Sequence, residues 1–287
     1  MKKITGILLA GILFPLLGSA QSWHAGGFLG ISNYSGDLVQ QRVDLKYTKP
    51  SVGLFVRRDI NRFLTVRLGV QYGNIAGADS TNESKDLRAR NLSFRSDIWE
   101  VNLLAEINFL DIEVTGYTPY VFVGVAGFSF YPTTKDSAGG TVRLRRLRTE
   151  GQGLPQYPDR QMYNIRQVSI PFGVGVKVQL NDLWTVGAEL GFRKTFTDYL
   201  DDVSKTYVDQ NTLLQYTGPN GVKFAYRGDE VNAKDVPRGS YPVDGTVRGS
   251  DKNKDWYVFS GVTLAYRFGG SGGSRWGRQK VSTCPRF

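Results

Sequence analysis

Cysteine, histidine and long apolar runs are almost absent from this sequence, and each absence excludes a class of protein. The single cysteine, Cys284, has no partner for an internal disulfide, so the fold cannot depend on one. The single histidine, His24, excludes a metal or proton-transfer site built from several histidines. Beyond residue 20, no apolar run approaches the roughly 18 residues that a membrane helix needs. The chain is therefore either soluble or crosses a membrane with strands.

Residues 1–20 have the pattern of a secretory signal peptide. A basic Lys2–Lys3 pair precedes an apolar run over residues 7–17, and small residues at 18–20 precede a predicted cleavage site before Gln21. The alternative, an uncleaved anchor helix, would need a longer apolar run. After cleavage the chain carries 34 Lys and Arg against 26 Asp and Glu, a net charge of about +8.

The rest of the chain contains segments in which apolar and polar residues alternate, as they do in half-buried strands. From Trp184 to Phe192 every second residue is apolar, and Glu189 lies between them. Four other segments alternate as clearly and three alternate weakly. The eight segments are 23–32, 51–58, 64–73, 99–109, 117–130, 169–180, 184–193 and 258–268. Segment 117–130 is apolar at both parities, so the pattern does not assign its faces.

Three features favour a membrane barrel over a soluble β-sandwich. Many segments have about ten residues or more, enough to cross a bilayer when tilted, whereas sandwich strands average about five or six. Aromatic residues, which suit the boundary of lipid and water, lie at the strand ends: Trp23, Phe63, Tyr72, Trp99, Phe109, Tyr117, Phe130, Trp184, Phe196, Trp256 and Phe268. The connections alternate between short (59–62, 111–116, 181–183) and long (33–49, 75–97, 131–165, 197–255).

The sequence therefore predicts an all-β fold, an eight-stranded antiparallel transmembrane β-barrel over residues 21–268 with long extracellular loops. Short periplasmic turns and long outer loops are the usual asymmetry of barrels in the Gram-negative outer membrane, so both termini should be periplasmic. The barrel would end at Phe268, which resembles the terminal aromatic signal of such barrels. Residues 269–287 would form a flexible basic periplasmic tail that carries Arg275, Arg278, Lys280 and Arg286.

Charged residues occupy the faces opposite the lipid-facing ones. They are Arg57, Arg67, Lys177, Arg193 and Arg267 against Glu100, Glu106 and Glu189. Eight strands enclose an interior that side chains can just fill. Unpaired charges would be costly there, so we predict a lumen ion-pair network that plugs the barrel. The alternative, a narrow ion path, has less support, because a general porin needs around sixteen strands.

The sequence does not predict catalysis. Small membrane barrels that act as lipases, acyltransferases or proteases commonly combine a serine or an aspartate with a histidine base. His24 lies near the mature N-terminus, far in sequence from Ser204 and Ser240 in the outer loops. We therefore predict no catalytic residue, cofactor, metal or small-molecule substrate. The predicted topology also argues against nucleic acid as a partner.

Two charged groups lie in the predicted outer loops. The acidic group could offer calcium its carboxylates and consists of Asp198, Asp201, Asp202 and Asp209. Its spacing fits no EF-hand and basic residues offset it, so we interpret it as a solvated loop base. The run over residues 143–148 contains four arginines and would attract lipopolysaccharide phosphates, or any acidic protein, by charge.

Five segments between residues 23 and 268 carry a family resemblance. They are 35–38 (SGDL), 90–96 (RNLSFRS), 149–154 (TEGQGL), 170–175 (IPFGVG) and 193–204 (RKTFTDYLDDVS). Together they resemble the PorG-like outer-membrane proteins of Bacteroidota, which belong to the type IX secretion system. Segment 193–204 is the most specific of them. The loop from Gly218 to Asp255 and the basic tail have no counterpart in this resemblance.

The resemblance implies a role in protein export and, in some members, in gliding motility. PorG-like barrels associate with a periplasmic ring of the lipoprotein PorK and its partner PorN. Contacts with this ring would use the periplasmic face: Asp59, Asn61, Arg62, the 111–116 turn, Asn181, Asp182, and Arg275, Arg278 and Lys280 of the tail. The predicted partners are thus PorK and PorN, lipopolysaccharide and the lipid bilayer. The alternative function is that of an OmpA-like small barrel for adhesion or envelope integrity.

Overall fold

The computed structural model describes residues 22–39, 45–231 and 238–268. The predicted signal peptide and the predicted basic tail therefore lie outside the described residues. Within these ranges the strands are β1 (Trp23–Ser35), β2 (Lys49–Asp59), β3 (Leu64–Ala78), β4 (Ser93–Asn108), β5 (Tyr117–Lys135), β6 (Thr141–Arg143), β7 (Arg166–Gln179), β8 (Trp184–Thr195) and β9 (Trp256–Phe268). The helices are α1 (Lys85–Arg90), α2 (Ile112–Thr115) and α3 (Gln210–Ala225), which is kinked at Gly218.

Eight of these strands form a closed antiparallel barrel. Each pairs with the next along the chain, β5 pairs directly with β7, and β1 pairs with β9 to close the barrel. The remaining strand, β6, extends the sheet only at one end of β5. The barrel begins at Trp23 and ends at Phe268, which are paired. The prediction of eight antiparallel barrel strands is confirmed.

The outer surface of the barrel is an apolar belt. Side chains that point outwards at mid-strand are exposed: Leu29, Val52, Leu54, Leu68, Val101, Val125, Val174 and Val262. Exposed aromatic rings flank the belt at both ends: Trp23, Phe63, Phe109, Tyr117, Trp184, Tyr266 and Phe268 at one end, and Trp99, Tyr131 and Phe196 at the other. A belt of this kind is the surface that a transmembrane barrel presents to lipid.

Strand β5 illustrates how the two faces are assigned when the sequence pattern is ambiguous. Its odd-numbered residues, such as Val123 and Val125, are exposed, whereas Tyr120 and Phe122 are buried in the lumen. A Cβ atom on Gly175 of the neighbouring strand β7 would lie 2.5 Å from the Tyr120 ring. Gly175 has no side chain, and this leaves room for the Tyr120 ring in the lumen.

The two ends of the barrel differ in the length of their connections. The end with turns 60–63, 109–116 and 180–183 is called here the short-turn end, and it also holds both ends of the barrel chain. Asn61 Oδ1 accepts hydrogen bonds from the backbone N–H groups of Phe63 and Leu64, both at 2.8 Å. Asn181 makes the same two bonds in its own turn. These side chains fix two tight turns of the same design.

The strands run past the apolar belt at the opposite, long-loop end. Ala78 pairs with Ser93 and Arg95 pairs with Thr133, so the predicted loops 75–97 and 131–165 are longer than the observed ones. Apolar alternation marks contact with lipid and ends at the belt, whereas backbone pairing continues beyond it.

The long loops pack together over this end of the barrel. Their apolar core is continuous with the barrel interior and includes Leu38, Leu144, Leu200, Val203 and Phe224. In the described ranges, no helix has the length and apolar character required to span a bilayer. The molecule thus has a lipid-facing barrel, a packed loop cluster at one end and short turns at the other.

Candidate functional site

The lumen contains a layer of ion pairs that joins four strands. Glu106 on β4 lies 3.1 Å from Arg67 on β3 and 2.5 Å from Lys177 on β7. Arg67 also lies 2.7 Å from Glu189 on β8. All four side chains are buried. Each charge has a partner, which is the arrangement that buried ions require.

A second layer surrounds Glu100. Arg193 lies 3.3 Å from this carboxylate, and the Tyr257 hydroxyl donates to it at 2.7 Å. Arg193 also donates to Gln71 at 3.0 Å and stacks over the Phe259 ring, 4.7 Å from its centroid. The two layers bring together six of the eight charged residues that the sequence assigned to the lumen.

Little space remains around these layers. A cavity of about 20 Å³, lined in part by Arg67, Gln71 and Asn102, has room for roughly one water molecule. Tyr120 fills a further part of the lumen and donates to Glu189 at 2.8 Å. The arrangement suits a structural plug better than an ion path.

Arg57 and Arg267 are the two predicted network residues that form no ion pair with the lumen glutamates among the described residues. Arg267 is next to last in β9 and lies at the rim, where its guanidinium is 2.8 Å from Glu113 of α2. Its predicted pairing with the lumen glutamates is therefore wrong, because α2 offers a carboxylate at the rim. Arg57 is 4% exposed and its Nε has no hydrogen-bond partner.

A polar cavity of about 470 Å³, called here the mouth cavity, opens at the short-turn end. Asp59 in this cavity accepts hydrogen bonds from Ser22 and Thr65, both at 2.8 Å, and lies 2.7 Å from His24 Nε2. Sequence reasoning compared His24 only with distant serines and missed Ser22. The spacing of two residues, which puts Ser22 and His24 on one face of an extended chain, was the signal that could have revealed it.

This Ser–His–Asp group does not have the geometry of a hydrolase triad. In a triad the carboxylate holds Nδ1 of the histidine, which leaves Nε2 free to take the proton of the serine. Here Asp59 contacts Nε2 itself, and the Ser22 hydroxyl donates to Asp59. In the described part of the chain, no three His, Cys, Asp or Glu side chains are arranged to hold a metal ion.

The residues predicted to bind a partner at the short-turn end fall into distinct groups. Asp59 points into the mouth cavity, and Asn61 and Asn181 bind the backbone of their own turns. Arg62 and Asp182 are exposed at the tips of the turns. The other predicted residues lie outside the described residues: Arg275, Arg278 and Lys280.

Two buried ion pairs hold the long loops in place, one within a loop and one between two loops. Arg90 of α1 makes two hydrogen bonds of 2.7 Å to the carboxylate of Asp79. Arg248 lies 2.9 Å from Glu150 and donates to the backbone carbonyl of Asp202 at 2.6 Å. The second pair joins loop 136–165 to loop 196–255, which makes the loop cluster one packed body.

The acidic group of the last loop is buried, so its interpretation as a solvated loop base is wrong. Asp198, Asp201 and Asp202 are at most 3% exposed, because the loops fold over them. Burial raises the pKa of Asp198 to about 7 and that of Asp202 to about 6. Asp209 differs from these three, since it accepts a hydrogen bond from the Thr212 N–H at the start of α3.

Asp201 and Asp255 share one hydroxyl group. The Tyr34 hydroxyl lies 2.7 Å from Asp201 and 3.0 Å from Asp255, but its single hydrogen can serve only one of them. Burial raises the pKa of both carboxyls well above the usual value. The Tyr34 hydroxyl can donate to one carboxyl, and the other carboxyl can donate to the hydroxyl oxygen if it carries a proton.

The basic run 143–148 is only partly available to solvent. Arg143 and Arg146 are exposed, whereas Arg145 donates to the backbone carbonyl of Tyr163 at 2.9 Å. The exposed arginines lie at the long-loop end.

Residues 2–138 match the family described as a domain of unknown function (DUF6089). No curated protein matches the sequence. Similar solved structures include Ail, the attachment invasion locus protein of Yersinia pestis, with 10% identity, coverage of 87% of this chain and 99% of that chain, and a TM-score of 0.40. The Neisserial surface protein A has 8% identity, 87% and 99% coverage and a TM-score of 0.42.

The outer membrane protein OprG from Pseudomonas aeruginosa is also similar, with 9% identity, coverage of 87% of this chain and 96% of that chain, and a TM-score of 0.39. The strand pairing and the apolar belt make this chain an eight-stranded antiparallel transmembrane β-barrel.

Proposed function

We propose that this chain is a non-catalytic outer-membrane barrel that serves a type IX protein secretion system as an anchor or accessory. The filled lumen carries the proposal: buried ion pairs around Glu106 and Glu100 make the barrel a rigid body that holds a position in the membrane. The resemblance of segment 193–204 and its companions to PorG-like proteins supports the choice of secretion system.

In this proposal the short-turn end and both termini face the periplasm and contact the ring of PorK and PorN. Short turns on that side and long loops outside are the usual asymmetry of such barrels. Arg62 and Asp182 are the predicted contact residues that are exposed at turn tips and not used to fix their own turns. Together with the tail they are the first candidates for a contact with the ring.

Deletion of the gene tests the proposed function. The deletion strain should retain cargo proteins in the periplasm, and the intact gene should restore their secretion. A variant with Arg62→Glu, Asp182→Lys and no residues 269–287 should insert normally but fail to co-purify with the ring. A matched charge change at the other end, Arg143→Glu with Arg146→Glu, should leave ring co-purification intact. Normal cargo secretion in the deletion strain would contradict the proposal.

A second candidate is an OmpA-like barrel that serves adhesion or envelope integrity. The packed loop cluster favours it, since ion pairs such as Arg248–Glu150 hold the loops as a fixed surface with exposed Arg143 and Arg146. On this alternative the deletion strain would secrete cargo normally, but it would adhere poorly or leak periplasmic proteins.

A further inference from the structure

The mouth cavity is a polar chamber to which all eight barrel strands contribute. Its inward-facing lining residues from the strands are His24, Arg57, Asp59, Thr65, Asn108, Thr118, Lys177, Thr185 and Arg267. Its volume of about 470 Å³ falls within the range of about 300–1,000 Å³ that is typical of small-molecule sites. The chamber therefore has the size and the polarity of a binding site.

A row of basic side chains runs across four neighbouring strands, and three of its four members line this chamber. Arg67 pairs in register with Arg57, Arg57 with His24, and His24 with Arg267, so the row runs over β3, β2, β1 and β9. We call these four residues the cationic row, in which the three arginines are charged and His24 is charged only when it is protonated. Side chains at paired positions are neighbours, and like charges there oppose each other. Arg57 and Arg67 are the directly paired cations of the row, and Glu106 interacts electrostatically with both of them.

Three members of the row have an anion of their own. Arg67 has Glu106 and Glu189, Arg267 has Glu113, and His24 has Asp59. Arg57 has no ion pair or hydrogen bond to any of the described residues. The residue is 4% exposed, and its buried Nε has no hydrogen-bond acceptor.

Arg57 interacts electrostatically with Asp59 and Glu106, but the oxygens of both carboxylates face other partners. One oxygen of Asp59 accepts from Ser22 and contacts His24, and the other accepts from Thr65. The two oxygens of Glu106 face Arg67 at 3.1 Å and Lys177 at 2.5 Å. The donors of Arg57 therefore remain for an acceptor that enters from the cavity.

We propose that the cationic row binds the oxyanion of a ligand, a carboxylate or phosphate group, that enters the mouth cavity from the short-turn end. Arg57 is the main contact, because a guanidinium presents paired N–H donors that match two oxygens of such a group. The adjacent His24 has a buried Nδ1 without a hydrogen-bond partner, and this nitrogen can donate to the ligand when the ring is protonated, since Nε2 already faces Asp59. This proposal does not depend on the secretion role.

The single histidine makes the site directly observable. The full-length mature protein in detergent micelles, labelled on histidine, gives ring NMR signals from His24 alone. Titration with inorganic phosphate and with acetate should shift these signals to saturation, whereas chloride at the same ionic strength should not. Saturation with phosphate alone identifies a phosphate site, and saturation with acetate alone identifies a carboxylate site.

Variants separate binding at Arg57 from a general salt effect. Arg57→Gln should raise the half-saturating anion concentration by about tenfold or more, as expected when a charge-assisted hydrogen bond is lost. Arg166→Gln, an exposed site at the other end of the barrel, should leave it unchanged. Faster gel migration before boiling than after it shows that each variant is folded. A non-saturating response, or equal affinity in Arg57→Gln and the parent, would overturn the proposal.

Discussion

Glu106 is the residue on which the lower layer of the lumen depends. It is completely buried and lies against two cations, Arg67 and Lys177, which come from different strands. Removal of its charge leaves Arg67 with Glu189 as its one ion-pair partner among the described residues and takes away the ion pair of Lys177. The effect of such a change is dominated by the uncompensated charge that remains.

Glu106→Gln should therefore lower the free energy of unfolding by about 3–5 kcal/mol, the usual cost of breaking a buried ion pair. Urea unfolding in lipid vesicles, followed by the gel shift between compact and unfolded barrel, measures the change. Glu113→Gln is the matched control, because its pair with Arg267 is at the exposed rim and should contribute only about 0–1 kcal/mol. Equal effects of the two substitutions would show that the lumen charges do not act as a plug.

Alternation along the strands was enough to direct Glu106, Lys177 and Glu189 into the lumen, but it does not fix their partners. The odd or even position of a residue along its strand tells which face it occupies. Which side chains form ion pairs inside the barrel depends on how far along the barrel axis each residue lies, and the stagger of the strands sets this. Arg267 shows the difference, since its parity is right and its partner is Glu113 on a short helix. The Ser22 contact with Asp59 was missed for the same reason, as the two residues meet only through strand register.

At the scale of elements, the long loops are the part of the fold that the sequence predicted least. They have no period of two or of 3.6 to reveal their contacts, and both their apolar core and their ion pairs join distant segments. Arg248 and Glu150 are 98 residues apart, and Arg90 reaches the backbone of residue 248 from another loop. The strands were predictable because every second residue of a strand faces lipid and is therefore apolar.

The buried carboxyls make the loop cluster sensitive to pH. Burial raises the folded-state pKa of Asp198 to about 7, above its value in the unfolded chain, so folding favours the protonated form. The stability from this carboxyl is complete below about pH 4 and is lost as the pH rises to about 7. Its charged neighbours include Asp37, Glu150, Lys254 and Asp255.

Amide hydrogen exchange in the loop cluster, corrected for the intrinsic pH dependence of exchange, should show falling protection from pH 4 to pH 8. Asp198→Asn should weaken this fall, because it keeps the carboxyl-like shape without a proton to lose. Asp209→Asn is the control, since the Thr212 hydrogen bonds lower the pKa of this exposed carboxyl. Protection that is independent of pH would mean that the Asp198 carboxyl does not carry a proton in the folded loops.

At the scale of the whole molecule, the barrel reverses the polarity of a soluble protein. Its charged residues are inside, as Arg193 and Glu100 show, and its exposed surface between the aromatic rings is apolar. The five clearly alternating segments were enough to predict this arrangement, because each of them carries the same division into two faces. Because the outer surface of the barrel faces lipid, the belt should tolerate apolar substitutions and not charged ones.

A single charge on the belt tests this consequence. Leu54 on β2 is 74% exposed, and Leu54→Arg should cost about 2–4 kcal/mol of unfolding free energy in vesicles if the side chain meets lipid near mid-membrane. Val243→Arg is the matched control, since Val243 is 79% exposed in the last loop and its change should stay within about 0.5 kcal/mol. Leu54 and Val243 are almost equally exposed, so the two sites differ mainly in whether lipid or water surrounds them. If Leu54→Arg proved as harmless as Val243→Arg, the belt would face water and the barrel would not cross a membrane.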